Sequence, residues 1–507
     1  MRKLWFTLAL ILASLTLGAM AERPNIVFIF TDDHACQSIG AYGSKINKTP
    51  NIDRIADEGG IFLNSFCGNS ICGPSRATIL TGKHSHKNGF KSNGAGKFNG
   101  GQFTFPQVLQ KNGYTTAMFG KWHLGSNPTG FDAWEILPGQ GSYYNPNLYT
   151  ETKKTKYTGY CTTVVTDLSL DWLEERDTDK PFLLMCQHKA PHRSWSPDIK
   201  HLKNYAEDVP EPATLFDTWD NRSATLARNT MSITNHFFWG WDMKFQMDVP
   251  FGTTWENNLK DGEYRRMTAE QKTAWNAHYK PLNEKFIADA PSGKERLRWK
   301  YQRYIKNYLR CIDSVDENVG RVLKYLDDNN LSENTIVIYS SDQGFYLGEH
   351  GWYDKRWMFE ESLKMPFIIR WPGTIKPGTK YKQLIQNIDY APTFLEACGV
   401  DLPDHAEVQG RSLMPLLRDP DAEFRDAIYY HYYEKGGHGV PLHEGVRDDR
   451  YKLINFYDND GLNLFDLETD PQEMTDISAD PAQAEVLAKM KQKLAKLRDD
   501  YELPPLK

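Results

Sequence analysis

The sequence predicts an α/β protein: a large mixed, mostly parallel sheet between helices, then a small C-terminal α+β subdomain with an antiparallel sheet. Three observations carry that expectation. Four nearly continuous apolar runs each finish in charged or imidazole side chains, and such runs are strands buried on both faces, as in a parallel sheet covered by helices. Helical patterns alternate with these runs. After about residue 415 the pattern changes to short strands followed by one surface helix.

The elements follow in chain order. Residues 1–21 combine a basic start (Arg2, Lys3), an apolar run and the small-x-small site Ala19-Met20-Ala21. They predict a cleavable export signal with maturation at Glu22, hence a periplasmic or secreted protein. The apolar run is short for a membrane span and no second run follows, so no stable membrane insertion is expected. "RPNIVFIFTDDH" is the first buried strand, "GYTTAMFGKWHLG" and "KPFLLMCQHKAPH" are the next two, and "NTIVIYSSDQG" (334–344) is the fourth. Ligands bind at the carboxyl ends of strands in open α/β sheets, where these four deliver their polar groups. Residues 200–295 are polar, Trp-rich and low in periodicity, and read as an insertion covering the substrate cleft. The run "RLRWKYQRYIKNYLR" (296–310) fits either a polyanion grip or a solvated helix face. Next, "CIDSVDENVGRVLKYL" places Ile312, Val315, Val319, Val322 and Leu326 on one helical stripe. Residues 22–415 thus form the catalytic domain and 416–507 the C-terminal subdomain.

Composition narrows the classes. The 507 residues carry a net charge of −6, which gives no reason to expect nucleic acid as a partner. Aromatic residues reach 13%, which suits either a sugar-stacking surface or an aromatic-rich core. Seven cysteines are scattered without a C-x-x-C pair, so the sequence fixes no pairing.

The candidate chemistry lies at the strand ends. Asp32, Asp33, Asp342 and Gln343 form an all-oxygen set, which suits a hard cation such as Ca²⁺ or Mg²⁺. Cys72 stands at the start of a short helix with Pro74 in its first turn and Arg76 about one turn on. Lys121, His123, His192 and Lys355 add cationic donors. Together they describe a pocket for a compact oxyanion ester, phosphate or sulfate, and a plain thiolate nucleophile fits it poorly.

The stretches "CGPSRATILTG" and "GYTTAMFGKWHLG" resemble the two signatures of the type I sulfatases, and order and spacing agree from "RPNIVFIFTDD" to "DQGFYLGEHGWYDKR". The resemblance implies an alkaline-phosphatase-like sandwich. It also implies that a maturation enzyme, either a formylglycine-generating or an anaerobic sulfatase-maturing one, oxidises Cys72 to formylglycine. One calcium ion would be held by Asp32, Asp33, Asp342, Gln343 and the modified residue 72. Arg76 and Lys121 would steady the diol and the sulfate. His123 would take a proton, and His192 (rather than His188) and Lys355 would face the sulfate and its leaving oxygen. Looser similarity to N-acetylglucosamine-6-sulfatases implies an exo-acting 6-O-sulfatase on a hexosamine or hexose of a sulfated mono-, oligo- or polysaccharide. Tyr143, Tyr144, Trp357, His438 and His443 are the candidate specificity residues. A phosphonate or phosphate ester hydrolase on the same scaffold, and an inactive glycan-binding relative, are the alternatives.

Overall fold

The apolar run after Pro24 is strand β1 (Asn25–Thr31), and every one of its residues is buried. The computed structural model describes residues 23–458 and 461–506. The export-signal reading at residues 1–21 lies outside the described residues. In chain order β1 is followed by β2 (Gly60–Phe66), β3 (Thr115–Gly120), β4 (Ala133–Ile136), β5 (Asn147–Tyr149), β6 (Lys154–Lys156), β7 (Phe182–Gln187), β8 (Thr335–Ser341), β9 (Phe367–Arg370) and β10 (Thr379–Gln386). These ten form one sheet in the order β10-β2-β9-β8-β1-β7-β3-β4-β5-β6. Its centre, β8-β1-β7-β3, is parallel throughout, with Ile29 level with both Tyr339 and Cys186. The four strands expected from sequence are these four neighbours. Because they run the same way, their charged ends converge on one edge of the sheet.

Helices cover both faces. The long helix Gly293–Asp328 packs with helices Cys161–Glu175 and Pro50–Asp57, whereas helix Cys72–Thr81 packs with Tyr390–Ala397 and Phe105–Lys111. The stripe Ile312, Val315, Val319, Val322 and Leu326 is wholly buried. The basic run at the start of the same helix is neither a solvated face nor an open grip at three of its cations. Lys300, Arg303 and Arg310 are buried beneath residues 202–289. Lys300 donates to Thr234 O (2.7 Å) and Glu256 Oε1 (2.9 Å), Arg303 to Met243 O (2.9 Å), and Arg310 to Asn204 O (2.8 Å). Carbonyls that no periodic element would use are therefore capped by cations from the helix. This covering segment also contains a 21-residue helix, Ala269–Asp289, whose buried stripe Trp275, Tyr279, Asn283 and Phe286 includes an amide.

The second sheet is antiparallel, in the order β11 (Ala427–Tyr432), β12 (His443–Asp448), β13 (Tyr451–Phe456) and β14 (Gly461–Asp466). Strand alternation divides its side chains. Ala427, Tyr429, Val446, Leu453 and Leu464 join Met490 and Leu494 of helix Ala484–Asp500 in a small separate core. Ile428, Tyr430, Tyr432, Ile454 and Phe465 face the main core. All seven cysteines are buried and free.

Candidate active site

At the strand ends the three carboxylates come together. Oxygens of Asp32, Asp33 and Asp342 lie within 4.8 Å of one another, and all three residues are fully buried. Asp33 takes a left-handed backbone, φ 70°, that non-glycine residues rarely adopt. Two bonds hold it there: its N–H donates to Asp342 Oδ1 (3.1 Å), and its carbonyl accepts from the Tyr308 hydroxyl (2.7 Å). Strained conformations of this kind persist where the surroundings over-determine them.

Each carboxylate meets a cation, and Asp32 also lies 3.8 Å from Arg76 Nη2. Lys355 Nζ reaches both Asp33 oxygens (2.7 and 2.8 Å), Lys121 Nζ donates to Asp32 Oδ2, and Arg76 forks onto Asp342 Oδ2 through Nε (3.2 Å) and Nη2 (3.0 Å). Burying one member without the other would be strongly unfavourable. Burial still pushes the Asp33 carboxyl up to about 7 against the pull of Lys355.

Cys72 is the first residue of helix Cys72–Thr81, with Ile71 as N-cap in extended backbone. Pro74, two residues further in, gives up no hydrogen bond that a first turn needs. Gly73 is required between them: a Cβ there would meet the Phe90 ring at 2.7 Å and Asn93 Oδ1 at 2.9 Å. Asn93 Oδ1 accepts the Gly73 N–H (3.0 Å). Asp342 O accepts from the Ser75 hydroxyl, so the helix is tied directly to the end of β8. Burial pushes the Cys72 thiol up to about 12, so at neutral pH the group is an uncharged thiol rather than a nucleophilic thiolate.

Two histidines complete the ring. His123 has φ 56°, and its Nδ1 is buried without a hydrogen-bond partner. Burial, then the charges of Lys121 and Arg76, push it down to about 2, so it is a neutral base. His192 Nδ1 lies 2.6 Å from Arg193 O, which accepts its proton and leaves Nε2 as the free lone pair, 3.7 Å from Asp33 Oδ2. His188 instead lies in the core, with Nε2 3.6 Å from Cys186 Sγ.

The five candidates at the sugar end divide into two groups. Tyr143, Tyr144, Trp357 and His443 are almost wholly buried. The Tyr143 hydroxyl donates to His192 O (2.5 Å), that of Tyr144 to Pro197 O, and Trp357 stacks between Trp352 and His443. Their rings pack in the core; the hydroxyls of Tyr143 and Tyr144 and Nδ1 of His443 meet backbone carbonyls, whereas Trp357 Nε1 and His443 Nε2 have no hydrogen-bond partner among the described residues. His438 alone of the five lies at the rim, with Nε2 3.4 Å from Asp354, the neighbour of Lys355. Several supports have no signature in the sequence: Gln187 and the Lys121 carbonyl on Arg76, Gln140 on Lys121, and Asn93 on Gly73. An amide is a signal only once its partner is known.

Residues 24–400 match the family described as sulfatase, which is well over half of the chain. The chain is a sulfatase. Residues 348–500 match the C-terminal region described for N-sulphoglucosamine sulphohydrolase. The sulfatase is 43% identical over 98% of its length to an N-acetylglucosamine-6-O-sulfatase of Bacteroides thetaiotaomicron, covering 91% of that protein. It is 27% identical over 83% of its length to human N-acetylglucosamine-6-sulfatase, covering 69% of it. A solved structure described as a complex with its substrate D-glucosamine-2-N,6-O-disulfate superposes with a TM-score of 0.90 at 43% identity, covering 95% of this chain and 98% of that one. The sulfatase accordingly has the alkaline-phosphatase-like α/β fold and hydrolyses sulfuric esters.

Proposed function

We propose that this sulfatase removes the 6-O-sulfate from terminal N-acetylglucosamine or a related hexosamine of sulfated glycans, with residue 72 as formylglycine and one calcium ion beside it. The observation that carries the substrate is the 43% identity, spread over 98% of the chain, with an N-acetylglucosamine-6-O-sulfatase. The export reading of residues 1–21 belongs to the same proposal, and no helix among the described residues is long and apolar enough to cross a membrane.

The donor set fits calcium. Asp32 Oδ1 and Gln343 Oε1 are buried oxygens without a hydrogen-bond partner, beside Asp33 and Asp342. Oxygen ligands about 2.4 Å from one ion lie at most about 4.8 Å apart, and these carboxylate oxygens all fall within that distance of one another. Calcium, when bound, supplies a Lewis acid for a sulfate oxygen and lowers the carboxylate pKa values. A formylglycine hydrate would supply two hydroxyls on one carbon at position 72, where serine has one and the buried thiol is inert.

The chain's own residues do the rest. Asp32, Asp33 and Asp342 balance Arg76, Lys121 and Lys355 in charge, so a divalent cation leaves the pocket net positive and ready for an anionic ester. Arg76 keeps Asp342, the Lys121 carbonyl and Gln187 in one frame, which fixes the donors before substrate arrives. His123, neutral and unpartnered at Nδ1, would be the base for a hydroxyl at position 72. Lys121 and Lys355, which hold Asp32 and Asp33, would also face the sulfate. His192 turns Nε2 to within 3.7 Å of Asp33 Oδ2, and only with a proton on that nitrogen would it serve the leaving oxygen. His438, with Asp354 and Arg356 beside it, forms a polar rim able to bond sugar hydroxyls.

The test is sulfate release from protein co-expressed with a formylglycine-generating enzyme, using sugars sulfated at positions 2, 3, 4 and 6, with Cys72→Ala as control. Release from N-acetylglucosamine 6-sulfate, abolished in the variant, is the expected result. Release from another position alone would refute the 6-O assignment. Preference for a phosphonate or phosphate ester, or sugar binding without any turnover, would refute the glycan sulfatase reading.

A further inference from the structure

The segment His236–Trp241, "HFFWGW", faces two ways. Phe237 and Trp239 are fully buried and pack the inside of the insertion. Phe238 and Trp241 point outward and are half-buried. Trp255 joins them, its ring 4.3 Å from that of Phe238 at 33°, and at 45% it is the most exposed aromatic ring among the described residues. Elsewhere the large aromatic side chains of this protein are spent on the core, so these outward rings need a separate account.

The shelf is fixed in place on both sides. Trp255 sits in the short helix Thr254–Asn258, held by a reciprocal cap between Thr253 and Glu256, and Glu256 is itself paired with buried Lys300 at 2.9 Å. Underneath lies Arg193, its guanidinium 4.7 Å from the Trp241 ring, 5.7 Å from Phe238 and 4.6 Å from Tyr353. Asp242 grips that guanidinium at 2.8 and 2.6 Å. His236 O accepts from Arg193 Nη2 (3.3 Å) and from the Tyr353 hydroxyl (3.0 Å).

Both supports are chain neighbours of the active site. Arg193 follows His192, and Tyr353 stands two residues before Lys355. The Arg193 guanidinium beneath the rings also interacts with the charges of Asp354 and His438 at the rim of the site, which sets the shelf on the His438 side of the pocket. A sugar ring presents C–H groups of partial positive charge, which suit the negative face of an indole or phenyl ring. Rings on two χ angles, already packed, lose little entropy when a ligand lands on them.

We propose that Phe238, Trp241 and Trp255 form a stacking platform for the saccharide unit beyond the sulfated terminal sugar, so that the enzyme prefers oligosaccharides to monosaccharides. This inference rests on the glycan 6-O-sulfatase reading. The occupant is the uncleaved remainder of the substrate, bound through its sugar faces rather than through charge.

The experiment compares kcat/KM for N-acetylglucosamine 6-sulfate and for a tetrasaccharide carrying that sugar at its non-reducing end. Trp255→Ala is expected to lower the tetrasaccharide value by roughly three- to tenfold, mainly through KM, and to spare the monosaccharide. Trp255→Tyr should restore most of the loss. Leu282→Ala, a similarly exposed residue on another helix, should change neither. Equal kcat/KM for the two substrates in the parent enzyme, or an equal fall for both in Trp255→Ala, would overturn the platform. Should the enzyme accept another sulfate position, the same pair is run with that position. The platform then stands or falls independently of the 6-O assignment.

Discussion

Replacing Arg76 with lysine keeps the charge and removes the fork. In the parent, Arg76 makes two bonds to Asp342 Oδ2, one to the Lys121 carbonyl (2.7 Å) and one to Gln187 Oε1 (2.8 Å). A lysine ammonium is a point donor on a flexible stem and cannot span these three partners. If it keeps Asp342, the Lys121 carbonyl and Gln187 Oε1 lose their donor inside a buried site. Each unsatisfied buried acceptor costs about 1–3 kcal/mol, so Arg76→Lys should destabilise the protein by about 2–6 kcal/mol. Loosening of Asp342 and Lys121 should also lower kcat by roughly 10²-fold, the scale seen when one preorganised donor is lost. Urea denaturation followed by tryptophan fluorescence reads the first quantity, and sulfate release reads the second. A variant within about 0.5 kcal/mol of the parent and within roughly threefold in kcat would refute the reasoning, because the fork would then carry neither stability nor catalysis.

Cys72→Ser, with one hydroxyl and nearly the same shape, should fold normally and release no sulfate even with the maturation enzyme present; circular dichroism and a sulfate assay check both halves. Chelation should abolish turnover and lower the melting temperature, and Ca²⁺ should restore both better than Zn²⁺, since the donors are all oxygen. Tyr430→Phe should reduce the melting temperature and raise KM, because its hydroxyl accepts from Ser70 N–H (3.2 Å) and donates to Arg356 O, and both would be left without it. Burial pushes the Glu473 carboxyl up to about 7, opposed by Lys452 and reinforced by Glu360. A raised folded pKa gives stability that is present below the unfolded value near 4.5 and lost as pH rises through 7. Glu473→Gln carries no such loss, so its melting temperature relative to the parent should climb between pH 5 and 8.

The centre of the fold was readable because strands buried on both faces need uninterrupted apolar sequence, and "NIVFIFT" and "TIVIYSS" supply it. Their terminal aspartates stood out for the same reason: a carboxylate beside such a run must find a cation. The burial of the aromatic candidates was not legible, because residue type does not reveal it. "YY" at 143–144 suits a sugar shelf as well as a core, and the core took it. Residues 238, 241 and 255 are aromatic in the same way, yet only folding shows that they face outward. The basic run at 296–310 misled for a different reason. What covers Lys300, Arg303 and Arg310 is an irregular segment whose carbonyls leave no trace in any periodicity.

The complete burial of helix Cys72–Thr81 sets a schedule for the nascent chain. Any enzyme that converts Cys72 must meet it as extended polypeptide, before the strand ends close over it. The groups that close the site arrive late: Asp342 lies 266 residues after Arg76, and Tyr430 is 360 after Ser70. At roughly 5–20 residues per second, synthesis of the 266-residue interval takes about 13–53 s. Throughout that interval the cysteine stays unsheltered, with its final neighbours not yet made. The long-range topology that assembles the pocket therefore also acts as a timer, and a circular permutant that brings β8 ahead of residue 72 should emerge with less of its cysteine converted.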